Sequence, residues 1–123
     1  MSTTVYDAPN YIVAGDMSGD VAGEWFTPHV NGEELFEVAW GATGAPTGTL
    51  LLQYTQDDSA TPDPARIFTV PGATFSASPA GGAGAVQQRF PGLRVYKKMR
   101  LFYDSDGASG AGNTSLTARR YSI

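Results

Sequence analysis

Glu34-Leu35-Phe36-Glu37-Val38-Ala39-Trp40, then Gly41 to Gly48, then Thr49-Leu50-Leu51-Leu52-Gln53-Tyr54-Thr55: the reading of this stretch decides the fold. Phe36, Val38 and Trp40 alternate with Leu35, Glu37 and Ala39, a period of two, as in a strand with one face buried. The pattern stops at Gly41-Ala42-Thr43-Gly44-Ala45-Pro46-Thr47-Gly48, which no regular element tolerates. It resumes with Leu50, Leu52 and Tyr54 on one side and Leu51, Gln53 and Thr55 on the other. Two such runs around a Gly/Pro-rich connection predict an antiparallel pair.

Composition extends that reading to the whole chain. With 123 residues it has the size of one ordinary domain, long enough for a real core. Gly 15 and Pro 8 make nearly a fifth of the residues, which implies many turns and short elements, hence an all-β fold. A net charge of −4 speaks against a nucleic-acid partner, which would call for a basic face. Seven of the eight basic residues follow position 88, from Arg89 to Arg120, while most acids come early. The later half is thus suited either to solvated strand faces or to an acidic protein surface. With no cysteine there are no disulfides or thiolate metal sites. No apolar run approaches the roughly 20 residues of a membrane helix. The start, Met1-Ser2-Thr3-Thr4-Val5, lacks the basic and apolar regions of a signal peptide, so a protein made in the cytoplasm with no membrane partner is expected.

Taken in order, residues 1–10 read as an extended N-terminal arm and 11–123 as one β-sandwich domain. Tyr11-Ile12-Val13 is a short strand ended by Gly15. Glu24 to Val30 is a second, with Trp25 as its buried anchor and Pro28 marking an edge. Asn31-Gly32 signals a hairpin turn. After a polar loop from Gln56 to Pro64, strands are expected over 65–70, with Ile67 and Val70 inward, and over 74–78 around Phe75, separated by a turn at Pro71-Gly72. Val86 to Phe90 is the next. Leu93 to Asp104 is the longest run: Met99, Leu101 and Tyr103 share one face, Lys98, Arg100 and Phe102 the other. Thr114 to Ser122, with Leu116 in the core, closes the chain. About eight strands and no helix predict two packed antiparallel sheets of jelly-roll type.

Chemistry-bearing constellations are sparse. His29 is the only histidine; with Glu33 and Glu34 it straddles a predicted turn and has no second His or Cys beside it, so it reads as a surface histidine. Asp104-Ser105-Asp106-Gly107 begins like a calcium loop, but Ser109 and Ser115 stand where the glycine and glutamate are needed. Asp57, Asp58 and Asp63 share a loop with nothing to fix their geometry. No Gly-x-Ser-x-Gly motif occurs, and the acids sit in turns rather than facing pairs. The sequence therefore assigns no catalytic, cofactor or metal residues, and a non-enzyme is expected. Alternation places most aromatics in the core and leaves Phe102 outward, suited to a protein interface. Residues expected to touch a partner are Tyr6 in the arm, Tyr11, Arg94, Lys98, Arg100 and Phe102.

The segment from about Glu37 to Arg120 resembles a type of small tailed-phage virion protein. The resemblance rests on Trp40-Gly41, Gly48-Thr49-Leu50-Leu51-Leu52-Gln53, Asp57-Asp58, Ile67-Phe68, Gly81 to Ala85, Arg100-Leu101-Phe102-Tyr103 and Ser109-Gly110-Ala111-Gly112-Asn113-Thr114-Ser115-Leu116-Thr117. Most of these are turn and core residues. The tryptophan usual after the acidic loop is missing; Pro62-Asp63-Pro64 occupies that region. Proteins of this type are similar to jelly-roll capsid decoration, or cement, proteins. The resemblance implies a place on the outer capsid surface of a virion, the major capsid protein as partner, self-association as a dimer or trimer, and no cofactor. The other function compatible with the fold is a carbohydrate- or receptor-binding sandwich of a phage tail or spike, which predicts exposed coplanar aromatics.

Overall fold

Phe36, in the middle of the deciding stretch, is completely buried, and its ring meets those of Tyr11, Phe26, Phe75 and Phe90 at centroid distances of 6.0 to 6.3 Å. The computed structural model describes residues 6–29, 31–82, 84–107 and 109–122. The strands are β1 (Tyr6–Gly15), β2 (Val21–Ala22), β3 (Glu34–Ala39), β4 (Thr49–Thr55), β5 (Phe68–Thr74), β6 (Ala85–Phe90), β7 (Lys98–Asp104) and β8 (Leu116–Ser122). No α-helix occurs among the described residues; two short 3-10 turns, Pro64–Arg66 and Pro79–Gly81, lie between strands.

The strands form two four-stranded sheets, ordered β1-β8-β3-β6 and β2-β7-β4-β5. All pairings are antiparallel and nested: β1 with β8, β2 with β7, β3 with β6, β4 with β5. Two further pairings, β3 with β8 and β4 with β7, complete the sheets. This is the order of a jelly roll, a long antiparallel ribbon folded across itself into two layers. The expected all-β, two-sheet antiparallel sandwich with eight strands is what the chain forms.

Alternation was a sound guide to which side chains point inward. Phe36, Val38 and Trp40 from one layer and Leu50, Leu52, Met99, Leu101 and Tyr103 from the other are buried, together with Leu116. It was a poor guide to partners. β3 and β4 are not an antiparallel pair; they lie in different sheets, and residues 40–48 carry the chain across the sandwich. The crossing is held from the other end of the chain. Buried Asn113 donates from Nδ2 to the Gly41 and Thr43 carbonyls at 2.8 and 3.0 Å, and its Oδ1 accepts from the Ser115 N–H at 3.0 Å. The Gly48 N–H donates to the Tyr103 hydroxyl at 3.2 Å, and a Cβ on Gly48 would stand 2.3 Å from the Asp104 carbonyl oxygen. Only glycine allows that approach.

Other boundaries shift for physical reasons. Of the expected arm, residues 1–5 lie outside the described residues, while Tyr6 to Ala8 pair with Arg120 to Ser122 as the first part of β1. The strand expected over 24–30 is reduced to one bridge, Phe26 with Met99, and the local strand is β2 instead; Val30 lies outside the described residues. Phe26, not Trp25, is the buried anchor. Asn31-Gly32 does make a turn, with Gly32 at φ +68° and its N–H donating to the His29 carbonyl, but it leads into β3 of the other sheet rather than closing a hairpin. Asp63 caps the 3-10 turn at Pro64, so β5 starts only at Phe68. Pro71-Gly72 does not end it. Gln53 pairs with Thr69 and Leu51 with Thr74, so the extra residues bulge out of the sheet edge, where a proline is tolerated. Phe75 then enters the core from loop rather than from a strand of its own. Residues 93–97, read as the start of the longest strand, form a turn before β7.

One charge is taken inside. Glu34 is fully buried, with Arg120 Nε 3.7 Å from its carboxylate and the Arg120 guanidinium 4.0 Å above the Phe26 ring. Such an ion pair is costly to break because the surviving charge would be left in the core.

Candidate binding surfaces

The outward face of the second sheet follows directly from the alternation in β7. Met99, Leu101 and Tyr103 point in, so Lys98, Arg100 and Phe102 point out. Across the sheet Phe102 stands beside Ala22 on one side and Leu51 on the other, and Arg100 stands beside Gln53. Arg100 is the centre of this face. Its Nε donates to Gln53 Oε1 at 2.9 Å, and its guanidinium lies 4.5 Å from the Trp25 ring centroid and 5.2 Å from that of Phe102. Burial beside these rings pulls the guanidinium pKa below its usual value, opposed by the nearby Tyr11 phenol. An arginine so placed still carries its charge near neutrality. Trp25, Leu51 and Phe102 are all half-buried, so apolar area and cation reach solvent together. Lys98, at the end of the row, donates from Nζ to the Ser59 carbonyl at 2.6 Å.

The other residues expected to meet a partner are elsewhere. Tyr11 faces into the sandwich, its ring edge-on to Phe26 at 6.0 Å and its hydroxyl donating to the Glu24 carbonyl. Burial pushes its phenol well above the ordinary value. Arg94 is exposed in the turn that follows β6, beside Gly32. Tyr6 pairs through its backbone with Ser122, and its side chain lies outside the described residues. Lys98, Arg100 and Phe102 thus share one face, and Tyr11 and Arg94 do not join them.

The outer face of the first sheet carries a shallow groove of about 500 Å³. Its floor is the row Ala85, Ala39 and Thr117, whose small side chains leave the depression; the next row is Gln87, Glu37 and Arg119. Gln87 donates to Glu37 Oε1 at 3.0 Å.

A second concavity, of about 250 Å³, opens at the loop end of β4 and β5. Tyr54 and Phe68 line it, with Gln56, Asp57 and Arg66. Tyr54 also packs on Tyr96, centroids 4.3 Å apart. The sequence reading placed most of the aromatics, Tyr54 and Phe68 among those weighed, in the core, and Tyr54 does pack against it. The Tyr54–Phe68 pairing at the start of β5 instead leaves Phe68 53% exposed.

The acidic loops are occupied by their own backbone. Asp57 accepts from the Asp63 and Ser59 N–H groups at 2.8 and 3.1 Å, which holds its carboxyl below the usual carboxylate range. Asp104 accepts from Asp106 N–H, and Asp20 ties down Ser105. Near His29, Glu33 pairs with Arg89 and Glu34 is buried against Arg120, so the three do not converge. Among the described residues no three His, Cys, Asp or Glu are grouped to hold a metal. Comparison with known proteins returns no family model, no curated protein and no solved structure that matches the chain.

Proposed function

We propose that this chain is a structural protein of a tailed-phage virion: a jelly-roll decoration protein that docks on the outer capsid surface between capsomers and stabilises the shell. The observation that carries the reading is the outer face of the second sheet, where Arg100 lies between Trp25 and Phe102 and Phe102 stands beside Leu51. Tryptophan and arginine dominate the energetics of protein interfaces, particularly at a half-desolvated centre ringed by polar groups. Here the ring is Gln53, Lys98 and Thr74. The face stands on paired strands of a four-stranded sheet, so docking orders little further backbone and costs little entropy. The motifs shared with small phage virion proteins point the same way. The partner is the major capsid protein, and a dimer or trimer about a symmetry axis would multiply weak contacts by avidity.

Co-sedimentation with expanded capsids tests the reading. The wild-type chain is expected in the pellet, and Arg100→Ala is expected to bind at least about tenfold more weakly, the loss typical of an interface hot spot. Wild-type protein that stays monomeric in analytical ultracentrifugation and remains in the supernatant would overturn it.

A further inference from the structure

The cleft between β4 and β5 belongs to neither sheet face, and the virion reading makes no use of it. It combines three kinds of group within one small space. The Tyr54 and Phe68 rings lie against each other, tilted by 34° with centroids 5.8 Å apart, and it is Phe68 that is half open to solvent. Asp57 supplies a carboxylate whose oxygens each accept one backbone N–H, from Ser59 and from Asp63. The Ser59 hydroxyl also reaches this carboxylate; of its roughly four acceptor positions, one is left over. Arg66, on the 3-10 turn, supplies a guanidinium that makes no side-chain hydrogen bond to a described residue and acts on the Asp57 charge. Gln56 Nε2 donates to the Val95 carbonyl at 2.8 Å and its Oε1 accepts from the Lys97 N–H at 2.7 Å, and this ties the Tyr96 turn against the cleft wall.

The chemistry these groups select is specific. An apolar ligand would leave the carboxylate and guanidinium desolvated without partners. A simple anion would meet Asp57. A polar ring with one C–H face and vicinal hydroxyls satisfies all three: its apolar face covers the aromatic rings, and its hydroxyls donate to Asp57 and accept from Arg66 in charge-assisted hydrogen bonds. At about 250 Å³ the cleft is below the roughly 300 Å³ where pockets for drug-sized molecules begin, so it suits one ring. We propose that the cleft formed by Tyr54, Phe68, Asp57 and Arg66 binds a single neutral hexopyranose unit. The sugar stacks on the open Phe68 ring, backed by Tyr54, and places two adjacent hydroxyls against Asp57 and Arg66. A site this small and open binds weakly, with a Kd on the order of 1 mM.

Saturation-transfer NMR on the full chain with the methyl glycosides of glucose, galactose and mannose tests this, paired with amide chemical-shift mapping. At least one glycoside is expected to receive saturation at its ring C–H protons and to shift the amides of Asp57, Arg66 and Phe68. Phe68→Ala and Arg66→Ala, both at exposed side chains, are each expected to weaken that binding by about tenfold or more, with the far-ultraviolet spectrum of the fold retained. No saturation transfer to any of the three glycosides overturns the proposal. So does binding that shifts amides elsewhere, or that survives in the folded Arg66→Ala chain. Should Phe68→Ala fail to fold, the Arg66→Ala result and the wild-type shift map decide alone. None of these readouts depends on capsid binding, so either proposal can fail without the other.

Discussion

At the scale of single residues, the side chains that matter most for integrity are polar groups drawn inside. Tyr11 shows how. Its ring joins the cluster around Phe36, while its hydroxyl reaches out to the Glu24 carbonyl and holds the segment before Phe26 against the first sheet. Burial raises the pKa of this phenol, so the native state keeps the proton at pH values where the unfolded chain, titrating near 10, has lost it. The unfolded state then binds fewer protons, and stability must fall as pH rises beyond about 10, having been undiminished below it. Tyr11→Phe removes both the hydrogen bond and this dependence. Urea unfolding is expected to show the variant about 1 kcal/mol less stable at neutral pH, the net value of one such bond. That gap should narrow as pH is raised from about 8 to 11. A gap that stays constant or widens over that range would show that the phenol is not held protonated by the fold.

At the scale of elements, inward-facing positions were legible and partnerships were not. Period two identifies the buried face because Cβ atoms alternate across a strand, and Met99, Leu101 and Tyr103 obey it without exception. The same period is silent on which strand lies alongside. Gly41 to Gly48 looks like a hairpin loop by composition, yet it spans two sheets, because its path is held by Asn113, Ser115 and Ser109, some sixty to seventy residues away in sequence. Trp25 and Phe26 were exchanged for a similar reason: a single bridge to Met99, not a strand, sets which of the two points inward. At the candidate sites, the row Lys98, Arg100 and Phe102 was readable from alternation, whereas Trp25 over Arg100 and the Tyr54–Phe68 cleft depend on long-range pairing. The crossing gives a direct test. Asn113→Ala leaves the Gly41 and Thr43 carbonyls without their donor and the Ser115 N–H without its acceptor. An unsatisfied buried polar group costs about 1–3 kcal/mol, so the variant should lose at least about 2 kcal/mol in denaturant unfolding. Exposed Asn31, in the turn before β3, serves as the control, and Asn31→Ala should stay within about 0.5 kcal/mol of wild type. Equal losses from the two changes would mean that the crossing is not held by Asn113.

At the scale of the molecule, the nested pairing makes the two ends of the chain interdependent. β8 lies between β1 and β3, pairs with both, and carries Leu116 and Ala118 into the core. β1 has no other strand neighbour among the described residues. The first sheet therefore cannot close until the last residues are in place, and the loop that closes is nearly the whole chain. Loop-closure entropy grows only slowly with length, so this costs stability little. It costs speed more, because pairings between distant residues must be found before they are rewarded, and all-β domains of such topology fold in milliseconds to seconds. Two results should follow together. Stopped-flow refolding of the full chain should fall in that slow range. A chain ending at Ser115 should show no cooperative unfolding transition at all, since it strips a central strand, frees β1 and opens the Phe36 cluster to water. A cooperative transition in the truncated chain would mean that β2-β7-β4-β5 stands as an independent unit, and the sandwich would have to be regarded as two layers that fold separately rather than one ribbon closed by its last strand.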